Sequence, residues 1–184
     1  MRPLQYALVA YVTNPVGRFV EDLRRDLSPE QAHLAAHLTV LPPRFLQGSE
    51  QKAIETLEHL CRVETPFDVI MGSVQTFMPT TPTVFIQVEH AAYKMRELHD
   101  RLNVGPLKSD EQWLYMPHLT IVKMSTMEQA QHALAESRAR WRQYRGTMSI
   151  TVDQLTFVRE GEDNHWVDLA EIPLGEPIPS DLSR

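Results

Sequence analysis

A four-residue pattern occurs twice in this chain, as His37-Leu38-Thr39-Val40 and as His118-Leu119-Thr120-Ile121. In both copies polar and apolar side chains alternate, which is the period of a β-strand, because successive side chains of a strand point to opposite faces. We therefore expect two strands, each presenting a histidine and a threonine on one face and burying two aliphatic side chains on the other. The fold must leave both polar faces accessible while both apolar faces enter a core.

The spacing of the two copies indicates an internal duplication. His37 and His118 are 81 positions apart, and Phe77 and Phe157 are 80 positions apart. The order strand, helix, His-Thr strand, helix, strand recurs in both halves of the chain. We therefore expect an α+β fold with two similar lobes related by a pseudo-twofold axis. Each lobe is expected to be a mostly antiparallel sheet with helices on its outer face, and a central cleft lies between the lobes.

The boundaries follow from the same patterns. We expect a single bilobal domain over residues 1–173, with repeats at roughly 4–82 and 83–172, followed by a C-terminal tail at 174–184 that is rich in Pro and Ser. Helices are predicted to begin after Asn14-Pro15, by a cap and a first-turn proline, and after Thr126 with Gln129, by a capping box.

Composition restricts the partners of the protein. The formal net charge is −6 at pH 7, whereas broad binding to long nucleic acid relies on many contacts between Lys or Arg and phosphate. We expect no extended nucleic-acid binding, although a nucleotide or an RNA end still fits a local pocket. No apolar run approaches the roughly 20 residues that span a bilayer. The one cysteine, Cys61, excludes an internal disulfide and favours a reducing compartment. We expect a cytoplasmic monomer.

The paired motifs carry chemistry of their own. Two imidazoles supply one proton acceptor and one proton donor around neutral pH. Two hydroxyls supply hydrogen bonds to oxygens that lie between the imidazoles. This set of groups is suited to cleaving a phosphodiester without a metal ion.

The chain resembles the two-histidine (2H) phosphoesterase superfamily, which includes the so-called 2'-5' RNA ligases and the 2',3'-cyclic nucleotide phosphodiesterases. Its hallmark is two His-x-Ser/Thr-x motifs about one lobe apart, and both motifs match in full here. The resemblance covers roughly residues 4 to 172. In this chain the first motif continues into Leu41-Pro42-Pro43-Arg44, whereas many RNA-ligase-like members continue with an aromatic residue and a glycine.

The resemblance implies that His37, Thr39, His118 and Thr120 are catalytic. It implies a hydrolase or ligase that opens the 2',3'-cyclic phosphate of a nucleotide or RNA terminus to a 2'-phosphate, with reverse joining of RNA ends in some members. No cofactor and no metal are expected. Two alternatives stay open. One is a phosphodiesterase for 2'-5'-linked oligonucleotides or for the cyclic phosphate of ADP-ribose, and the other is a non-catalytic module that binds a nucleotide or RNA end.

Three further residues are candidates for substrate binding. Family members stack the nucleobase on an aromatic residue beside the cleft, so Phe77 and Phe157 are candidates, with core packing the competing interpretation. Arg44 follows the first motif and is positioned to meet a phosphate, although a surface arginine is the more common outcome. The basic run from Arg138 to Arg145 could guide RNA or offset a helix dipole. A zinc pair at His33 and His37 is disfavoured because Leu34 stands where a metalloprotease needs glutamate.

Overall fold

Eight strands and four α-helices account for most of residues 3–175, the part of the chain that the computed structural model describes. The strands are β1 (Tyr6–Tyr11), β2 (His37–Arg44), β3 (Phe67–Thr76), β4 (Thr83–His90), β5 (His118–Lys123), β6 (Ser149–Val152), β7 (Gln154–Glu160) and β8 (Trp166–Pro173). The helices are α1 (Pro15–Leu27), α2 (Glu50–Cys61), α3 (Ala92–Leu102) and α4 (Met127–Gln143). None of the described helices is long and apolar enough to cross a membrane.

The helix starts follow the predicted capping chemistry. The Asn14 side chain accepts hydrogen bonds from the first-turn amides of α1, and Pro15 is the first residue of that helix. Thr126 and Gln129 form a complete capping box at the start of α4. These side chains bind amides that have no partner within the helix, which fixes where each helix begins.

All eight strands form one antiparallel sheet, in the order β6-β3-β4-β5-β2-β1-β7-β8. The helices cover one face of this sheet, where they contact β2, β3, β4, β5 and β8. The main core lies between that face and the helices. It contains Leu38 and Val40 of the first motif and Leu119 and Ile121 of the second, so the predicted alternation is confirmed. The opposite face of the curled sheet carries the histidines and threonines.

The curl of the sheet has a covalent cause. Strands β6 and β7 lie far apart in the strand order, yet only Asp153 separates them in sequence. The first half of the segment from 149 to 160 pairs with β3, and the second half pairs with β1. One nearly continuous stretch of chain can reach both places only if the sheet bends round on itself. The sequence pattern predicts a single strand at about Thr147 to Val158, and the structure divides this stretch at Asp153.

The α+β class and the antiparallel strands are confirmed, with one difference from the predicted arrangement. Instead of a separate sheet for each repeat, the structure has one sheet, and the two halves of the chain exchange strands. Strand β3 of the first half lies beside β4 of the second, and β7 of the second half lies beside β1 of the first. Each side of the cleft is therefore built from both repeats. The pseudo-twofold axis stays a prediction.

The first two residues of the predicted tail form hydrogen bonds with the folded part of the chain. Leu174 is buried and its amide donates to the carbonyl of Asp153, and the amide of Gly175 donates to the carbonyl of Cys61. These two bonds extend the folded part of the chain beyond β8. The rest of the predicted tail lies outside the described residues.

Gly17 provides a test of the packing between α1 and β1. A Cβ at this buried position would lie 1.7 Å from the carbonyl oxygen of Val12, which belongs to the backbone and cannot turn away. We expect Gly17→Ala to lower the free energy of unfolding by about 1–3 kcal/mol, because overpacking outweighs the gain in helix propensity. Urea unfolding measures this, with Glu58→Ala on the exposed face of α2 as the control. Equal stability of wild type and Gly17→Ala would contradict the packing.

Candidate active site

The two motifs meet at the centre of the sheet, where β2 runs antiparallel to β5. Their pairing is limited to one pair of residues, Leu38 with Leu119. In an antiparallel pair with this register, His37 lies opposite Thr120 and Thr39 lies opposite His118. Each histidine therefore has the threonine of the other motif across the strand gap, in addition to its own threonine two residues along. The structure brings all four predicted catalytic residues together on one face.

Side chains complete the hydrogen bonding where the two strands diverge. The Tyr115 hydroxyl donates to the carbonyl of Thr39 at 2.7 Å. On the other strand, the Arg24 guanidinium of α1 donates to the carbonyls of Thr120 at 2.7 Å and Ile121 at 2.8 Å, and also to that of Leu34. Buried carbonyls without a partner are costly. These bonds allow the motif strands to separate without leaving such carbonyls.

Both histidine rings are oriented in the same way. His37 Nδ1 lies 2.8 Å from the carbonyl oxygen of Ala35, and His118 Nδ1 lies 2.7 Å from that of Met116. A carbonyl oxygen only accepts hydrogen bonds, so Nδ1 carries the proton in each neutral ring. The second nitrogen, Nε2, is left to accept or donate a proton in the cleft. Two imidazoles with free Nε2 atoms are what an acid–base pair requires.

The surroundings of the two rings favour their neutral forms. Burial lowers the pKa of His37, and the charges of Arg24 and His118 lower it further, against a rise from the bond to Ala35. Burial also lowers the pKa of His118, against a rise from the bond to Met116. The electrostatic effect of His118 on His37 means that protonation of one ring discourages protonation of the other.

The two threonine hydroxyls are open to the cleft. Among the described residues, neither the Thr39 nor the Thr120 hydroxyl has a hydrogen-bond partner, and neither oxygen is sealed from solvent. They are therefore available to donate to an anion between the histidines. The described residues contain no group of three or more His, Cys, Asp or Glu side chains that could hold a metal ion. The expectation of no metal stays a prediction.

The side of the cleft next to His37 is an open cavity of about 280 Å³. Its floor is made of small apolar residues of β1 and β7, which form a cluster separate from the main core. Tyr11 stands beside His37 with ring centroids 6.4 Å apart, and its hydroxyl donates to Asp168 at 2.6 Å. The other residues around this cavity are Ala7, Val9, His33, Leu34, Ala35, Thr39, Pro43, Val158, His165 and Trp166.

The side next to His118 is filled by two phenylalanines. Phe77 stacks on Phe85 with centroids 4.2 Å apart, and the centroid of each ring lies 5.0 Å from that of His118. Phe85 is only 2% exposed. Phe77 is half-buried and lies beside the face that carries the histidines and threonines, and its part in substrate binding stays a prediction. Because its ring packs on Phe85, only its outer surface is offered to a ligand.

Phe157 and Arg44 do not face the cleft. Phe157 is 1% exposed and belongs to the main core on the helix side of the sheet, where Tyr6 stacks on it. The reason is register. The two histidines are 81 positions apart, so the counterpart of Phe77 is Val158 and not Phe157, and a shift of one residue reverses the face of a strand. Val158 does line the cavity.

Arg44 is buried in a polar network and cannot meet a substrate phosphate. Its guanidinium donates to the carbonyls of Pro42 and Leu107, to the side chain of Asn103 and to the carboxylate of Glu111. This set of bonds anchors the end of β2 to the connection between α3 and β5. The predicted phosphate contact is corrected to a structural role.

The basic run at the end of α4 is also structural in its described contacts. Trp141 is buried and donates to the carbonyl of Gly72, Arg138 donates to the carbonyl of Val74, and Arg140 pairs with Asp26. These residues attach α4 to β3 and α1. The helix-end interpretation is therefore favoured over RNA guidance.

The sequence reasoning missed four residues of the site: Tyr11, Arg24, Phe85 and Tyr115. Tyr11 and Phe85 carried a usable signal, because they alternate with core residues on the strands that flank the motifs. Arg24 and Tyr115 carried none. Arg24 stands among other charged residues of α1, and only the tertiary fold shows that its guanidinium is buried.

Comparison with known proteins points to one family. The family model described as 2'-5' RNA ligase superfamily matches residues 12–164. A protein of Halalkalibacterium halodurans that is named as a phosphoesterase is 22% identical over 175 residues, which cover 94% of this chain and 99% of that protein. Another protein so named, from Geobacillus, is 24% identical over 166 residues and covers 89% of this chain and 92% of its own length.

Solved structures share the fold at low sequence identity. Escherichia coli LigT complexed with NADP+ is 13% identical, with a TM-score of 0.59, over 96% of this chain and all of that one. The protein TT0787 of Thermus thermophilus is 14% identical, with a TM-score of 0.58, over 94% of this chain and 98% of that one. At such identities the likeness supports the fold alone.

The lowered pKa values of His37 and His118 predict how stability depends on pH. In the unfolded chain these imidazoles bind protons near their usual pKa of about 6.5, and in the folded state they resist protonation. Stability should therefore be full above that pH and fall as the pH drops through the folded values. We expect His37→Gln/His118→Gln to lose less stability than wild type between pH 7.5 and 5.5, measured by urea unfolding. A His59→Gln/His132→Gln control should lose as much as wild type, and an equal loss in both double variants would contradict the prediction.

The Tyr115 hydroxyl offers a second test. Tyr115→Phe leaves the carbonyl of Thr39 without its donor, and we expect the free energy of unfolding to fall by about 1–3 kcal/mol. The matched control is Tyr93→Phe, since Tyr93 on α3 is 57% exposed and makes no hydrogen bond within the described residues. Equal stability of the two variants would show that the bond to β2 is not needed.

Proposed function

The chain belongs to the 2'-5' RNA ligase superfamily of phosphoesterases, and from that membership we propose that it opens 2',3'-cyclic phosphates to 2'-phosphates by paired-histidine acid–base catalysis. One observation carries the proposal. His37 and His118 both bind a backbone carbonyl through Nδ1 and direct Nε2 to the same face of the sheet, with a threonine hydroxyl beside each.

The reaction needs only these groups and a water molecule. One neutral imidazole takes a proton from the water as its oxygen bonds to phosphorus. The other imidazole, protonated, gives its proton to ribose O3' as the P–O3' bond breaks, and the phosphate stays on O2'. Thr39 and Thr120 donate to the non-bridging oxygens, where negative charge accumulates. When the 5'-hydroxyl of another RNA end takes the place of water, the same two proton transfers open the ring and join the ends through a 2'-5' bond. In cleavage of that bond back to the cyclic phosphate, the two imidazoles exchange roles.

The pKa directions fit this cycle. Both rings favour the neutral form in the free protein, so a base is present at neutral pH. The negative charge of a bound phosphodiester favours protonation of one ring, and the repulsion between the rings favours only one. Substrate binding therefore creates the acid, and the ring that stays neutral is the base.

The proposed substrate is a nucleotide or RNA terminus with a cyclic phosphate. Structures of the fold relative LigT are described as complexes with NADP+, 3'-AMP and ATP, which supports a nucleotide ligand here. The cavity beside His37, about 280 Å³ with aromatic and small apolar walls, suits a nucleoside. It is too small for a duplex, in keeping with the net charge of −6.

We also propose a cytoplasmic monomer. Cys61 is buried, and burial raises the pKa of its thiol to about 12, so it packs as a small apolar residue and is not a nucleophile. A chain with one such thiol has no disulfide of its own and suits a reducing compartment.

The proposal predicts that each histidine is essential. We expect His37→Ala and His118→Ala each to lower kcat by about 10²–10⁴-fold on the four nucleoside 2',3'-cyclic phosphates, because a proton transfer is lost. Turnover is measured in chelator, with His132→Ala on α4 as the control, and unfolding curves verify that each variant is folded. Wild-type turnover in either motif variant would contradict the acid–base pair. Activity lost in chelator and restored by a divalent ion would indicate metal chemistry instead.

A further inference from the structure

A second pair of histidines lies in the same cavity as His37. His33 belongs to the connection before β2, and His165 precedes β8. Their rings stack with centroids 4.3 Å apart and an interplanar angle of 25°. Both rings are exposed to solvent and both line the cavity. Neither residue belongs to a His-x-Thr motif, and neither has a part in the acid–base cycle described above.

A tight turn holds His165 in place. The hairpin between β7 and β8 has Asp163 and Asn164 in the left-handed region, with φ of 51° and 59°. The amide of His165 donates to the carbonyl of Glu162 at 2.9 Å, and the amide of Gly161 donates to the carbonyl of His165 at 2.7 Å. Two consecutive left-handed residues are the signature of a type I′ turn, which sets the direction of both flanking strands.

The hydrogen bonds of the two rings determine what they can bind. His165 Nδ1 lies 3.2 Å from the carbonyl oxygen of Asp163, and His33 Nε2 lies 3.4 Å from that of Asn164. Each neutral ring therefore directs its proton to a carbonyl. The other nitrogen has no protein partner among the described residues. It can donate to a ligand only when the ring takes up a second proton, and an anion beside the ring favours that uptake.

We propose that His33 and His165 form a second phosphate subsite, which binds a substrate phosphate other than the reacting one. The proposal rests on the proposed function only in placing the reacting phosphate between His37 and His118. The ligand is a phosphate monoester or diester attached to the same nucleotide, such as a 5'-phosphate or the next phosphodiester of an RNA end. Two stacked imidazoles repel each other when both are charged, and an anion bound beside the pair offsets that repulsion.

The charges around the pair make this binding depend on pH. The nearby carboxylates are Glu162 and Asp163 of the turn, which are exposed, and Asp168 of β8, which accepts from Tyr11. The cations facing the same connection are Arg24, which donates to the carbonyl of Leu34, and His37 when protonated. The exposed carboxylates are screened by salt, and a phosphate anion is bound more tightly by an imidazolium than by a neutral imidazole. Phosphate affinity should therefore rise as the pH falls from 8 to 6.

The test compares two matched substrates. Adenosine 2',3'-cyclic phosphate is assayed with a 5'-hydroxyl and with a 5'-phosphate at pH 6.5. We expect the 5'-phosphate to lower KM about tenfold in wild type, as one charge-assisted hydrogen bond does. In His33→Gln and His165→Gln the ratio of the two KM values should fall to about one, and this ratio cancels any effect of the variants on binding of the nucleoside itself. His132→Gln is the control.

Two outcomes overturn the subsite. One is a wild-type enzyme that treats both substrates alike. The other is a 5'-phosphate advantage that is unchanged in both glutamine variants. If those variants also lose stability, the stacked pair serves only to join the hairpin to the connection before β2. A trinucleotide ending in a cyclic phosphate serves as a third substrate. If the trinucleotide also has a lower KM that depends on His33 and His165, the ligand of the subsite is an RNA end. If only the 5'-phosphate lowers KM, the ligand is a mononucleotide.

A binding measurement separates this inference from the proposed function. Calorimetry with adenosine 5'-phosphate on His37→Ala/His118→Ala needs no turnover and removes the catalytic pair as a phosphate site. We expect binding that weakens about tenfold between pH 6 and pH 8 and is lost when His33→Gln is added. If the wild-type protein turns over no cyclic phosphate but this binding is seen in the double variant, the proposed function fails and the subsite stands. Absence of binding at pH 6 overturns the subsite.

Discussion

The fold depends on two neighbouring strands that pair over an unusually short length. Strands β2 and β5 share one register pair, Leu38 with Leu119, and then diverge. A fully paired ladder would draw the two motif strands together along their whole length. Instead, Tyr115 and Arg24 supply donors to the carbonyls at the point of divergence. Leu38 and Leu119 pack in the core on the helix side of the sheet. This apolar packing therefore determines where His37 and His118 lie on the opposite face of the same strands.

The two sides of the cleft share an architecture but differ in what fills them. On the His118 side, Phe77 and Phe85 occupy the space and contact the ring. On the His37 side, Val158 stands at the position equivalent to Phe77, and the smaller side chain leaves a cavity. The described residues thus leave room for a ligand much larger than a phosphate beside His37, whereas aromatic rings fill the space beside His118. The imidazole pair is nearly symmetric, and the space around it is not.

The sequence predicted the parts of this arrangement that local periodicity controls. The alternation in both motifs and the caps of α1 and α4 follow from residues close together in the chain, and the family resemblance follows from the two short motifs. Phe157 shows where periodicity fails: an offset of 80 instead of 81 reverses the face of a strand, and no local signal reveals the error. Arg24 stands among charged residues, and Arg44 stands between prolines and apolar residues. Both are buried because the carbonyls that accept from them include residues up to 97 positions away, which no local pattern reveals. The exchange of strands between the repeats is likewise a property of the whole chain.

The segment that contains β6 and β7 has a mechanical consequence. Since Asp153 alone separates two strands that are bonded to distant parts of the sheet, the rim of the groove is closed by covalent chain on that side. Two bodies joined by a flexible linker can swing apart to admit a ligand, but the described part of this molecule has no such joint. The eight strands form one continuous sheet, so a change in the width of the groove requires the sheet itself to bend. Selectivity in such a protein comes from the side chains that line the groove. Evolution can change the preferred ligand by replacing single residues there.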